Sequence, residues 1–236
     1  MERVSNLGYE TVVDTIISRM PGSIFYQDGL VYWHDALSST NFIRVVNVFD
    51  GQELCSFGNV GSGPEEFTNP LLSLYPDGGF YLNDGNKSIE NLYHLDRSVN
   101  SLHVLKSVYT SIPHATRMLH MKENTRFYLC PGEEKMFLTV QKGNYYRDGV
   151  CPISEEASNK YDIVQGNVLY NSANGKLVYS AIRIPYMAVY DWTLDGWRLD
   201  KELKSSFDYT MSDGEIKLSK KSSGAMELAL TKDYIV

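Results

Sequence analysis

Short apolar runs centred on a tyrosine return along this chain at nearly constant spacing, separated by polar, turn-forming stretches. Leu30-Val31-Tyr32, Phe80-Tyr81-Leu82, Phe127-Tyr128-Leu129 and Leu177-Val178-Tyr179 place their tyrosines 49, 47 and 51 residues apart, and Tyr234-Ile235-Val236 follows 55 residues later. A second landmark trails the first: Val48-Phe49-Asp50-Gly51, His94-Leu95-Asp96-Arg97, Val140-Gln141-Lys142-Gly143 and Thr193-Leu194-Asp195-Gly196. A period near 50 built from strands and turns marks a repeat architecture, and for an all-β chain of this length that architecture is the propeller. The pattern therefore predicts an all-β propeller of four-stranded antiparallel blades, about four of them complete, with part of a fifth.

The second repeat shows how each blade reads. Leu71–Tyr75, Phe80–Asn83, Ile89–Leu95 and Ser101–Val108 are the expected strands, with Pro76-Asp77-Gly78-Gly79 turning the first into the second. Asp50-Gly51 and Asp195-Gly196 are hairpin signals between third and fourth strands. Repeats fall at about 22–68, 69–112, 113–164 and 165–204 of one domain covering 1–236. The polar segment 205–224 reads as an excursion carrying a short helix or hairpin, and 225–236 as a partial blade. The apolar run ending at Val236 predicts a strand without its neighbours, which points to a truncated chain. Thr11–Ser18 is the expected strand for closing the ring.

The segment Phe57-Gly58-Asn59-Val60-Gly61-Ser62-Gly63-Pro64-Glu65-Glu66-Phe67-Thr68-Asn69-Pro70 has the composition of a sharp inter-blade return. Its glycines free the backbone, its prolines fix direction, and Phe67 is placed to wedge between blades. A phosphate cradle would have to open a helix, and no helix is expected here. This junction resembles that of six-bladed propellers of the NHL and TolB-like kind, in particular the TolB-like proteins of Bacteroidetes, many of them lipoproteins. It departs from their pattern at Glu65, where they carry glycine. The resemblance implies a six-bladed propeller of the cell envelope, periplasmic or a surface lipoprotein. No signal peptide is expected within Met1 to Met20, which carries Glu2, Glu10 and Asp14 and lacks a basic start followed by an apolar stretch.

Composition narrows the chemistry. A net charge of −7 excludes wrapping of a phosphate backbone, so nucleic acid is not an expected partner. No apolar run approaches the ~20 residues of a membrane helix. Three cysteines are too few for a disulfide framework, although Cys130 and Cys151 lie in one repeat and could pair.

Five histidines show no zinc spacing, and Asp84-Gly85-Asn86-Lys87-Ser88 begins like a calcium loop but lacks its glycine and final glutamate, so an Asx-turn is the better account. There is no nucleophile elbow, and the adjacent glutamate pairs lie in loops. No cofactor and no metal site is expected.

What remains is the geometry of a propeller, whose loops between second and third strands crowd one mouth of the channel. The candidate ligand-binding residues there are His34, Asp35, Asp84, Asn86, His114, Arg117, Glu133 and Arg183, with Asn83, Cys130, Asn167 and Tyr186 nearby. This mixed rim suits a carbohydrate or peptide more than a phosphate. The leading expectation is a non-enzymatic propeller that binds or scaffolds a protein, peptide or carbohydrate in the bacterial cell envelope. Its rivals are a metal-dependent lactonase- or lyase-like enzyme with a site in the channel, and a cytosolic interaction ring. The enzyme is disfavoured because the predicted inner strands Ser23–Tyr26, Leu71–Tyr75, Thr116–Met121 and Asn167–Tyr170 carry no Asp or Glu.

Overall fold

A computed structural model describes residues 21–75, 79–96, 98, 101–109, 115–121, 124–219, 224 and 228. The expected strands Thr11–Ser18 and Tyr234–Val236 lie outside these residues. Four antiparallel sheets follow one another, each a meander in chain order. The first holds β1 (Pro21–Gln27), β2 (Leu30–Asp35), β3 (Asn41–Asn47) and β4 (Glu53–Asn59). The second holds β5 (Pro70–Tyr75), β6 (Gly79–Asp84), β7 (Ile89–Asp96) and β8 (Ser101–Tyr109). The third runs β9 (Arg117–Met121), β10 (Thr125–Leu129), β11 (Lys135–Gln141) and β12 (Asn144–Val150). After the short helix α1 (Lys160–Ile163) come β13 (Gly166–Asn171), β14 (Lys176–Ala181), β15 (Tyr186–Thr193) and β16 (Gly196–Lys204). The chain is a β-propeller of four-stranded blades. The first strands β5, β9 and β13 lie side by side along its inner edge.

Turn chemistry sets these elements. Asp28-Gly29 and Lys142-Gly143 both take positive φ at two successive residues, as tight hairpins with the twist of the flanking strands require. The core is not within sheets but between them. Tyr32, Ile43 and Phe57 of the first blade meet Phe80, Leu82 and Tyr93 of the second, with Phe67 enclosed among them. Tyr81 meets Met118, Tyr128 and Leu138 across the next interface. Phe127, Met136 and Phe137 meet Leu177, Tyr179 and Tyr190 across the third.

The four repeat tyrosines are all buried on second strands, yet their settings are not equivalent. Tyr32 packs on Phe80 of the blade that follows it, and Tyr81 stacks on His120 of the blade that follows it. Tyr128 instead belongs to the interface with the preceding blade, and Tyr179 meets Phe137 of the preceding blade. They are the third residues of β2 and β6 but the fourth of β10 and β14. Because side chains alternate across a strand, that single step turns the ring to the other face.

The junction 60–69 is irregular, as its composition demands. Val60 and Phe67 form a parallel bridge, and Gly61 N–H donates to Phe67 O at 2.9 Å. Gly61 has φ +156°, and a Cβ there would fall 2.1 Å from the Glu66 carboxylate, which accepts the Gly63 N–H at 2.7 Å. Lys87 Nζ donates to Gly63 O and Glu66 O. Glu65, where the resembled family has glycine, is exposed and takes no positive φ, so the departure costs the turn nothing.

The excursion contains a two-stranded hairpin, β17 (Tyr209–Ser212) and β18 (Glu215–Leu218), turned by Asp213-Gly214. It is clamped on the loop before α1. Asn159 Nδ2 donates to Ile216 O and Ile216 N–H donates to Asn159 Oδ1, both at 2.9 Å, and Ile216 enters the core between the third and fourth blades. Cys55, Cys130 and Cys151 are free thiols, so the conceivable bridge in the third repeat is not formed. Among the described residues no helix is long and apolar enough to cross a membrane.

Candidate functional site

Antiparallel register brings the end of each second strand beside the start of its first. Pro21 pairs with Asp35, Leu71 with Asn83, Arg117 with Leu129 and Asn167 with Ser180. The residues at these four corners define one mouth of the propeller. His34, Asp35 and Asn83 are buried there. Glycine at position 22 lets the His34 imidazole lie against β1, because a Cβ would come within 2.7 Å of its Nδ1.

Arg117 ties the third blade to the fourth. Its Nε and Nη2 donate to Asn167 Oδ1 at 3.2 and 2.9 Å, and its Nη1 donates to Thr116 O at 2.9 Å. The same guanidinium bears on His34. Burial, helped by Arg117 and opposed by Asp35, pushes His34 from its ordinary value near 6.5 down to about 4. The imidazole is therefore neutral at pH 7. Tyr161 on α1 packs against Gly132 of the loop between β10 and β11, where a Cβ would come within 3.4 Å of its backbone, and burial raises its phenol. Burial, opposed by Arg147, pushes the Cys130 thiol up to about 11, so it is not a nucleophile near neutrality.

Among the described residues, four buried polar atoms at this mouth have no hydrogen-bond partner: His34 Nε2, Asp35 Oδ1, Asn83 Nδ2 and Thr116 Oγ1. Buried polar groups are nearly always paired, and each orphan costs roughly 1–3 kcal/mol. These four lie at the strand ends of three blades, whereas Glu90 and His120, whose buried atoms also lack hydrogen bonds, face each other between the second and third blades.

The other candidates have different settings. Asp84 is fully buried and already engaged. Its oxygens accept from Thr68 N–H (2.6 Å), Thr68 Oγ1 (2.9 Å), Asn69 N–H (3.3 Å), Asn86 N–H (3.0 Å) and Lys87 N–H (3.3 Å). It is an Asx-turn that also moors the inter-blade junction. Asp84→Ala should cost about 1.5–3 kcal/mol, since buried donors lose a charged acceptor; an unchanged urea midpoint would contradict this role. Asn86 is exposed and donates to Thr68 Oγ1 at 3.2 Å. Glu133 and Arg183 are exposed on loops of the third and fourth blades. His114 lies outside the described residues. Thr116, just ahead of β9, and Tyr161 on α1 are not among the candidates read from the sequence, although Thr116 opens the expected inner strand Thr116–Met121.

The depressed His34 gives a pH signature. The unfolded chain takes up a proton near 6.5 while the folded one resists until about 4. Its contribution is complete above 6.5 and falls as pH drops through that window, by on the order of 3 kcal/mol in all. His34→Gln should flatten the stability profile between pH 6.5 and 4 in urea unfolding; an unchanged slope would contradict the burial of a neutral imidazole.

Clefts among the described residues lie elsewhere as well. One of about 590 Å³ is lined by Glu134, Asp148, Cys151, Lys160 and Trp197 among others, and one of about 380 Å³ by Gln27, Asp28, His94 and Asp96 among others.

No protein-family model matches this chain, and no curated protein matches it. Solved structures do resemble it. A member of the DUF4221 family from Bacteroides vulgatus is 15% identical with TM-score 0.49, over 86% of this chain and 61% of that one. A Bacteroides uniformis protein provisionally named 6-phosphogluconolactonase is 10% identical with TM-score 0.49, over 86% and 71%. A Bacteroides fragilis protein provisionally described as exported is 13% identical with TM-score 0.47, over 80% and 73%. At these identities the similarity is one of fold.

Proposed function

We propose that this chain is a non-enzymatic binding propeller whose site is the mouth formed by His34, Asp35, Asn83, Thr116 and Arg117, with Glu133, Arg183 and Asn86 on the loops around it. The observation that carries this reading is the set of orphaned buried polar atoms at that mouth. A ligand bearing both donors and acceptors would complete them, as a sugar hydroxyl or a peptide amide does. A neutral imidazole and an amide beside one guanidinium suit such a ligand better than a multiply charged phosphate. A place in the bacterial cell envelope, and a full six-bladed TolB-like ring, are parts of the proposal that rest on the junction motif alone.

The test is a panel of oligosaccharides and short peptides screened for thermal stabilisation of the protein, followed by calorimetry on any hit. Asn83→Ala should weaken binding by about tenfold or more, equivalent to losing one hydrogen bond to a buried group. It should leave the ligand-free protein no less stable by more than about 1 kcal/mol, because it removes an unsatisfied donor. A variant that unfolds while binding normally would refute the assignment. Metal-dependent hydrolysis of a lactone panel, abolished by Asp35→Asn, would favour the enzymatic reading instead.

A further inference from the structure

Away from the mouth, the second blade carries an arrangement that the linear spacing of histidines conceals. His94 on β7 and His103 on β8 are nine positions apart in the chain, yet they are direct cross-strand partners. Both are exposed. Residues opposite one another in an antiparallel pair share a face, with Cβ atoms about 4.5–5.5 Å apart, which lets two imidazoles converge on one ion. On the other flank of His94 its partner on β6 is Gly79, which adds no side chain of its own. Asp96 follows two residues later on the same strand. Its carboxylate accepts hydrogen bonds from Ser98 Oγ (2.7 Å) and Ser98 N–H (2.9 Å), which hold it in place. Its negative charge stands two residues from His94 on the same strand.

We propose that His94 and His103 form a two-imidazole site for a divalent first-row transition metal, with water completing the coordination and Asp96 supplying charge nearby. Imidazole nitrogens suit Zn²⁺, Cu²⁺ and Ni²⁺, whereas Ca²⁺ and Mg²⁺ require oxygen donors. Among the described residues no three His, Cys, Asp or Glu side chains gather as a ready-made cage. The site is therefore an open one on the outer strands, able to take a further ligand from solvent or from a partner. It is independent of the channel-mouth reading.

The experiment is a titration of the untagged full chain with ZnCl₂ by calorimetry, with the histidine ring signals followed by NMR. One ion per chain should bind, moving the ring signals of His94 and His103 together and leaving those of buried His120 and of His34 in place. His94→Ala and His103→Ala should each weaken binding by about tenfold or more, and the double variant should be little worse than either. Both positions are exposed, so the variants should keep the wild-type circular dichroism and midpoint. No saturable binding, binding that survives both substitutions, or dependence on only one of the two histidines would overturn the proposal. A CaCl₂ titration should show no binding at these residues, and Ca²⁺ shifting the same rings would equally overturn it.

Discussion

Replacing Phe67 by alanine is expected to lower the free energy of unfolding by about 3–5 kcal/mol, the range for a large aromatic removed from an enclosed site. Phe67 is 1% exposed and sits in the core between the first and second blades. Its backbone is fixed on both sides, since Phe67 N–H donates to Asn59 O at 2.7 Å and its carbonyl accepts from Gly61. The junction cannot slide inward to fill the void without breaking those bonds, so the cost should fall at the upper part of the range. Urea unfolding followed by tryptophan fluorescence measures it. A loss below about 1 kcal/mol would mean that the loop collapses freely, and that Phe67 is not the wedge that joins the blades.

The second large effect is expected at Glu90. This carboxylate is fully buried between the second and third blades, 3.0 Å from Arg126 Nη2 and 3.7 Å from His120 Nε2, near enough for the charges to act although neither contact is aligned as a hydrogen bond. His120 in turn lies flat on Tyr81, ring centroids 3.5 Å apart, and its backbone N–H donates to Ser73 Oγ at 3.0 Å. Burial holds the His120 imidazole below its ordinary pKa against the pull of Glu90, so the pair that matters is Glu90 with Arg126. Glu90→Ala should cost about 3–5 kcal/mol because it strands a partly buried guanidinium. Glu90→Leu combined with Arg126→Leu should cost less than Glu90→Leu alone, since buried ion pairs are dear to break and cheap to replace by packed apolar groups. Additive losses in that cycle would show that the two side chains do not act as a pair.

Much of this fold is legible in the chain, and the reason is local. The second blade illustrates it: the expected Ile89–Leu95 and Ser101–Val108 are Ile89–Asp96 and Ser101–Tyr109 in the structure. Alternating apolar residues and turn residues act within a few positions of one another, so a short window contains the whole cause. Asp213-Gly214 likewise announces its hairpin. The facing of the tyrosines is not legible in the same way, because a one-residue difference in strand start reverses the face without altering the apolar run. Contacts between blades are harder still. Nothing near Glu90 in the chain indicates Arg126, and the partnership of His94 with His103 appears only once the register of β7 with β8 is known. The mouth was legible as a set of strand ends. Which of its polar atoms are satisfied was not, since Asp84 and Asp35 occupy matching positions and only the junction at Thr68 and Asn69 distinguishes them.

The central claim is that the orphaned groups at the mouth hold a ligand, and the ring of His34 is its most direct reporter. With a ligand found by the oligosaccharide and peptide panel, the His34 ring resonances should shift with the same midpoint as the calorimetric titration, while those of His120 between the blades stay fixed. Binding that leaves His34 unmoved and perturbs another surface, or a panel in which nothing binds, would contradict the account.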